Sequence, residues 1–160
     1  NIRFTPDAAY VHITSNNTLM GTQWHALPET GGVPLVVDMS SDFLWKAHPL
    51  ARVGLLYAGA QKNLGPAGAT AVVIRKDLLE KCRQDIPVIL RYPTQSKEGG
   101  LYNTPCVFSI YVIDKVLGWI EAKGGLAAME RANREKAGQV YGVIDKHPGF
   151  FRCPVAKESR

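Results

Sequence analysis

The chain has 160 residues, of which 46% are hydrophobic and 21% charged, and its formal net charge at pH 7 is +5. This length and composition suffice to bury a core as one globular unit. Basic residues alternate with acidic ones and form no cluster, which argues against nucleic-acid binding. The longest nearly unbroken apolar run, 105–113, is too short to span a bilayer, so no membrane partner is expected.

Cysteine usage indicates a reducing compartment. Cys82, Cys106 and Cys153 are odd in number and show no Cys-x-x-Cys spacing, and the four histidines are scattered. We therefore expect free thiols and no metal site. No signal or transit segment opens the chain, so a cytoplasmic location is expected.

Four segments in the first half predict β-strands, at 10–15, 34–38, 53–58 and 70–75. The runs 34–38 and 53–58 are short and apolar, which is typical of buried parallel strands. The loop before the fourth segment is too short for a crossover helix. This strand should therefore run antiparallel to its neighbour or lie across the sheet.

Helices dominate the prediction for the second half. The sequence Asp-Leu-Leu-Glu at 77–80 predicts a capping box that opens a short helix, and the polar stretch 92–100 predicts a mobile loop. A helix should begin at Pro105, capped by Thr104, and end near Lys123 before two glycines.

A second amphipathic helix should follow and pack on the body of the protein. The segment 150–153 predicts a new strand after it. The apolar face of the helix is predicted to consist of Leu126, Met129, Val140, Tyr141 and Ile144.

The residues that follow two of the strands have the chemistry of a ligand site. Asp38 ends the run 34–38, and Lys62 follows the run 53–58 between Ala-Gly-Ala and, beyond Asn-Leu, Gly-Pro-Ala-Gly. Parallel sheets bind ligands at the carboxyl ends of their strands, and small residues let a bulky group approach the backbone. An amine and a carboxylate placed there suit pyridoxal phosphate, whose aldehyde forms a Schiff base with lysine and whose ring nitrogen pairs with an acid.

Two other interpretations of these residues fit the sequence less well. The glycine spacing from 59 to 68 fits neither a nucleotide-triphosphate loop nor a dinucleotide fingerprint. Taken singly, Lys62 has the sequence context of a solvated loop lysine and Asp38 that of a helix cap. Their combination with the small residues favours the cofactor site.

Several motifs resemble those of phosphoserine aminotransferases, a family of class V pyridoxal-phosphate enzymes. The segment Tyr-Ala-Gly-Ala-Gln-Lys-Asn at 57–63 resembles the family's Schiff-base motif, and Asp-Met-Ser-Ser at 38–41 resembles its Asp-x-Ser-Ser element. Asn-Thr-Pro at 103–105 lies at the family's distance from the lysine. The strand that ends at Thr18 resembles the family's Asn-Glu-Thr strand, with Asn17 in place of Glu. The stretch 42–49 departs from the family pattern, which we expect to affect only surface detail.

The resemblance implies an α/β fold that is part of the large domain of a fold-type I PLP-dependent transferase. Its sheet should be mostly parallel with one antiparallel strand, followed by helices that lead into a small C-terminal domain. We expect the C-terminal half of the PLP-binding large domain at 1–104, connecting helices at 105–145 and the truncated start of the small domain at 146–160. Since family members are more than twice this long, we expect a central fragment that is inactive alone.

The resemblance also implies roles for individual residues. Lys62 is expected to hold the cofactor aldehyde and to move the α-proton of the substrate, and Asp38 is expected to pair with the protonated ring nitrogen. Thr18 should hydrogen-bond the phenolic oxygen or the ring edge, and Gln61 should contact the cofactor phosphate.

Asn103 and Thr104 are expected to bind the phosphate of the cofactor in a partner subunit. A helix start supplies free N–H groups and a positive dipole end for such a contact. The resemblance therefore implies a homodimer with shared active sites. A turn Asn and an N-cap Thr are the ordinary alternative for these two residues.

The activity implied is the transfer of an amino group from glutamate to 3-phosphohydroxypyruvate, which gives O-phospho-L-serine in serine biosynthesis. The same family also serves the 4-phosphohydroxythreonine step of pyridoxine biosynthesis. The alternatives are another class V enzyme, such as an alanine–glyoxylate transaminase or a cysteine desulfurase, and a non-catalytic structural fragment. The two named enzymes share the Asp and Lys but usually lack the Asn-Thr-Pro element.

Overall fold

The computed structural model describes residues 2–5 and 7–160, which form a sheet followed by two long helices. The strands are β1 (Val11–Thr14), β2 (Asn16–Asn17), β3 (Thr22–Gln23), β4 (Leu35–Asp38), β5 (Val53–Gly59) and β6 (Thr70–Ile74). The α-helices are α1 (Lys76–Glu80), α2 (Tyr92–Lys97), α3 (Val107–Ala122) and α4 (Gly125–Lys146). Short 3-10 helices lie at Leu50–Arg52, Val88–Leu90 and Lys157–Ser159.

The main sheet has the strand order β1-β4-β5-β6. Strands β1, β4 and β5 are parallel, and β6 is antiparallel to β5. The predicted mostly parallel sheet with one antiparallel strand is therefore confirmed. Because Thr14 pairs with Asp38 and Asp38 pairs with Tyr57, the carboxyl ends of the parallel strands meet at one edge.

A small hairpin extends this edge and was not predicted. Strands β2 and β3 follow β1 directly and pair only with each other, Asn16 with Gln23 and Asn17 with Thr22. Thr18 lies in the turn between them.

The core covers one face of the sheet. Side chains alternate between faces along a strand, and in β1 the buried positions are Val11 and Ile13. Half-buried Phe4, Trp24, Leu27, Val33 and Phe43 pack against this face. Its buried members are Val11, Ile13, Leu35, Val37, Met39, Val53, Leu56 and Ala58. Because Leu56 has no exposed surface, its truncation to Ala would cost roughly 2–5 kcal/mol of stability.

The predicted short helix forms as α1, but its cap and the next segment differ from the prediction. Helix α1 begins at Lys76 without a side-chain cap, and Asp77 pairs with Arg75 at 2.5 Å, so the capping box does not form. Residues 92–97 form α2 instead of a loop. Pro93 lies in its first turn, where a missing N–H costs nothing and the fixed φ favours the helix.

Helix α3 starts two residues later than predicted. Its N-cap is Cys106, so Thr104 does not cap it, and Ser109 in its first turn donates instead to the Ala67 carbonyl at 2.5 Å. The end of the helix is as predicted, because Gly124 takes a φ of +98° that favours glycine.

The last segments match the prediction in part. Leu126, Met129, Tyr141 and Ile144 on α4 are half-buried, but Val140 is 60% exposed and does not belong to the packed face. Residues 151–154 have no regular structure, so the strand predicted at 150–153 is not formed. No helix among the described residues is long and apolar enough to cross a membrane.

Candidate active site

Lys62 and Thr18, which are 44 positions apart in sequence, meet at the carboxyl edge of the sheet. Lys62 follows β5, and Thr18 occupies the turn of the β2–β3 hairpin. The Lys62 Nζ donates to Thr18 Oγ1 at 3.3 Å, and both side chains are exposed. The structure thus brings together two residues that the sequence assigned to one cofactor.

Asp38 ends the neighbouring strand β4, and its carboxylate is held in place by the backbone. Its Oδ1 accepts from the Ser40 N–H at 2.8 Å. Its register partner Tyr57 lies on the same face of the sheet. Burial, and then the negative charge of Asp38, raise the pKa of the Tyr57 phenol.

His12 continues this face next to Tyr57. Its Nε2 lies 3.1 Å from the Tyr57 hydroxyl, and the two rings stack with their centroids 6.1 Å apart. The sequence analysis gave neither residue a role of its own. The alternation of faces along β1 and β5 is the signal that could have placed them beside Asp38.

Gln61 is exposed and folds back over Gly59. A Cβ at Gly59 would lie 2.6 Å from Gln61 Oε1, so the absence of a side chain at Gly59 makes room for this amide. Gln61 thereby lies beside Lys62 at the end of β5.

Two glycines after Lys62, Gly65 and Gly68, lie against helix α3 and not against open space for a ligand. A Cβ at Gly65 would lie 2.8 Å from Ile113 Cγ1, and one at Gly68 would lie 2.9 Å from Ser109 Oγ. Gly68 also has a φ of +109°, which favours glycine. These two glycines therefore admit helix α3, whereas we had expected them to admit a bulky ligand.

Asn103 and Thr104 precede α3 and are exposed. Within residues 2–5 and 7–160, neither side chain forms a hydrogen bond with the Lys62 site. They lie three and two residues before the N-cap Cys106 and are therefore outside the first turn of the helix.

The stretch 42–49, which we expected to affect only surface detail, contributes to the interior. Asp42 is only 4% exposed and Trp45 only 8%. Lys46 Nζ donates to the His25 carbonyl at 2.7 Å.

A cleft of about 590 Å³ reaches Thr18, whereas Lys62, Asp38 and Gln61 do not line it. Thr18 and Asn63 line one side of it, and Arg134 and Tyr141 of α4 line the other. This volume is in the range of small-molecule sites.

The comparisons with known proteins agree on one family. The family model of the class-V aminotransferases matches residues 2–160. The chain is 54% identical over 160 residues to the phosphoserine aminotransferase of Lysinibacillus sphaericus and 49% identical over 159 residues to that of Herpetosiphon aurantiacus. It covers 44% of the length of each of these relatives and nearly all of its own.

Solved structures give the same result. The phosphoserine aminotransferase of Bacillus circulans matches 99% of this chain with a TM-score of 0.94 at 50% identity. The PLP-bound phosphoserine aminotransferase of Trichomonas vaginalis matches 99% of this chain with a TM-score of 0.92 at 41% identity. This chain covers 44% of each of those chains. The chain therefore belongs to the class-V aminotransferase family.

Proposed function

We propose that this chain forms the cofactor-binding part of a pyridoxal-phosphate-dependent phosphoserine aminotransferase. The enzyme that contains it would transfer an amino group from glutamate to 3-phosphohydroxypyruvate and give O-phospho-L-serine. The observation that carries the proposal is the 3.3 Å contact of Lys62 with Thr18 at the sheet edge where Asp38 ends β4. Identity of about half to phosphoserine aminotransferases supports the choice of substrate.

The side chains at this edge fit pyridoxal phosphate. They comprise the exposed amine of Lys62, the carboxylate of Asp38, the hydroxyl of Thr18 and the amide of Gln61. Asp38 would pair with the ring nitrogen, Thr18 with the phenolic oxygen or ring edge, and Gln61 with the phosphate. When bound, the cofactor supplies an electron sink for negative charge at the substrate α-carbon.

Lys62 then has the task of moving the α-proton through its Nζ. Its hydrogen-bond partner is the hydroxyl of Thr18, and no ion pair holds it among the described residues. Thr18 thus fixes the position from which Nζ would take up the α-proton and return it.

The proposal includes a homodimer with shared sites. Helix α3 leaves apolar side chains uncovered, with Phe108 70% exposed. A partner subunit packed there would bury this surface and bring Asn103 and Thr104, which precede the helix, to the partner's cofactor phosphate. The division at 1–104, 105–145 and 146–160 and the cytoplasmic location stay predictions within this proposal.

Borohydride reduction tests the site. Peptide mapping of the reduced, cofactor-loaded enzyme should place the pyridoxyl mass on the peptide that contains Lys62. Lys46 is the internal control, because its amine already donates to the His25 carbonyl. A label on Lys46 or Lys76 would overturn the assignment.

Substrate preference tests the activity. Turnover with glutamate should be faster for 3-phosphohydroxypyruvate than for glyoxylate, and no sulfur should be released from cysteine. A preference for glyoxylate or cysteine would instead support one of the other class V activities.

A further inference from the structure

The turn at 40–44, which begins two residues after Asp38, contacts each of the strand ends that carry the site. Its first two residues, Ser40 and Ser41, contact two different segments. Ser40 Oγ accepts from the Gly59 N–H at 3.0 Å, at the end of the strand that leads to Lys62. Ser41 Oγ donates to the Asn16 carbonyl at 2.7 Å and accepts from Asn16 Nδ2 at 3.0 Å.

The third residue, Asp42, holds both ends of the hairpin. Its carboxylate accepts a hydrogen bond from Ser15 Oγ, just before β2, and one of 3.0 Å from Gln23 Nε2, at the end of β3. Ser15 is fully buried, and its Oγ also lies 3.0 Å from the Asp38 carbonyl oxygen.

The burial of Asp42 costs free energy that its partners only partly offset. A carboxylate with almost no exposed surface is stabilised best by a cation, but the hydrogen-bond donors here are a neutral hydroxyl and a neutral amide. Its two hydrogen bonds nevertheless fix a local geometry, because they link Ser15 and Gln23 at the base of the hairpin.

The hairpin needs such an anchor. It contains only two residue pairs, and a two-stranded hairpin of this size is marginally stable by itself. A further contact comes from Ser159, whose hydroxyl bonds the backbone of Gln23. The place of Thr18 at the tip of the hairpin thus depends on contacts made at its base.

We propose that Asp42 is a positioning residue that sets Thr18 against Lys62 without touching the cofactor. Together with Ser40 and Ser41 it keeps the hairpin and the ends of β4 and β5 in one arrangement. This inference rests on the proposed function, in which Thr18 and Lys62 share the cofactor site.

A double-mutant cycle tests the inference in the enzyme that contains this chain. Asp42→Asn keeps the shape of the side chain. Its NH₂ group would, however, face Ser15 Oγ or Gln23 Nε2, which are both donors to Asp42. Cofactor affinity of the apoenzyme, followed by quenching of tryptophan fluorescence on addition of pyridoxal phosphate, should fall about tenfold for a lost charge-assisted hydrogen bond. Thr18→Ala should lower it similarly, and the double variant should lose little more than either single variant.

Two further variants complete the design. Gln23→Ala removes one of the two donors to Asp42 and should lower affinity in the same direction, which keeps the test available if Asp42→Asn does not fold. Asp85→Asn, an exposed carboxylate paired with Arg83, is the matched control and should have no effect. Rescue by Asp42→Glu should be poor, because a longer side chain cannot keep both contacts.

The outcomes separate the two proposals. Additive losses in the double variant, or wild-type affinity in Asp42→Asn, would overturn the positioning role while leaving the function intact. Unchanged affinity in Thr18→Ala would remove Thr18 from the cofactor site and overturn the positioning role too, whereas the proposed function would be overturned by the labelling and substrate tests given above.

Discussion

Asp38 and Tyr57 are register partners on adjacent parallel strands, so the carboxylate and the phenol share one face of the sheet. Burial and the charge of Asp38 raise the pKa of Tyr57, which therefore keeps its proton at neutral pH. The carboxylate thus has the neutral Tyr57 phenol beside it on β5 and accepts a hydrogen bond from the Ser40 N–H just after β4. Among residues 2–5 and 7–160 no cation forms an ion pair with Asp38, and in the proposed site its charge would face the protonated ring nitrogen.

Replacing Asp38 by Asn should slow transamination. The change preserves shape but removes the charge that stabilises a protonated ring nitrogen, and a lost charge-assisted hydrogen bond costs about 1.5–3 kcal/mol. We therefore expect a rate at least about tenfold lower in steady-state assays. Asp85→Asn, an exposed carboxylate paired with Arg83, is the matched control. An unchanged rate in Asp38→Asn would give this carboxylate a structural role only.

Gly68→Ala should destabilise the protein, whereas Gly118→Ala should stabilise it. At Gly68 the backbone has a φ of +109° and the new Cβ would meet Ser109 Oγ at 2.9 Å, so overpacking of about 1–3 kcal/mol is expected. At Gly118 in α3 nothing lies within 4 Å, and Ala gains roughly 0.5–1 kcal/mol in a helix. Urea unfolding should give opposite signs for the two variants. The same sign for both would refute the close packing at Gly68.

His48 should make stability depend on pH. Burial, and then the positive charge of Lys46, hold the pKa of His48 below its usual value of 6.5. As pH falls through that value, the unfolded chain takes up a proton that the folded chain does not. The free energy of unfolding should therefore decrease with falling pH in this window.

Urea unfolding at pH values from about 5 to 8 measures this dependence. In His48→Gln the slope just below the usual histidine pKa should be smaller than in the wild type, while His147→Gln, at an exposed position, should leave it unchanged. Equal slopes in the wild type and His48→Gln would contradict the prediction.

The 160-residue chain alone should bind the cofactor weakly and show no detectable turnover with glutamate and 3-phosphohydroxypyruvate. The chain covers 44% of the length of the relatives it matches, and Val72 and Val73 on β6 remain exposed. Cofactor absorbance and a coupled assay on the purified chain would measure both properties. Sustained turnover, with any longer enzyme excluded by mass spectrometry, would refute this expectation.

Much of the sheet could be predicted because its signals are local. The apolar runs at 34–38 and 53–58 indicated parallel strands, and the short loop before Thr70 indicated the antiparallel one. Since parallel strands end at one edge, the placement of Asp38 and of the strand that leads to Lys62 at the same edge followed from the sequence.

The features that were missed depend on contacts distant in sequence. The hairpin around Thr18 is held by Asp42 and by Ser159, which is 136 positions from its partner Gln23. Helix α3 begins after Cys106 and not at Thr104, and Ser109 in its first turn bonds the distant Ala67 carbonyl. No local pattern encodes either contact.

The packing of Gly65 against Ile113 has a consequence for how the sequence of this protein can evolve. A side chain at position 65 requires the side chain at position 113 to shift or to become smaller, because the added Cβ would lie 2.8 Å from Ile113 Cγ1. The two positions are therefore expected to change as a pair across homologous sequences. Part of the sequence constraint on the loop after Lys62 therefore comes from helix α3, which contacts the loop at Gly65, three residues after the lysine.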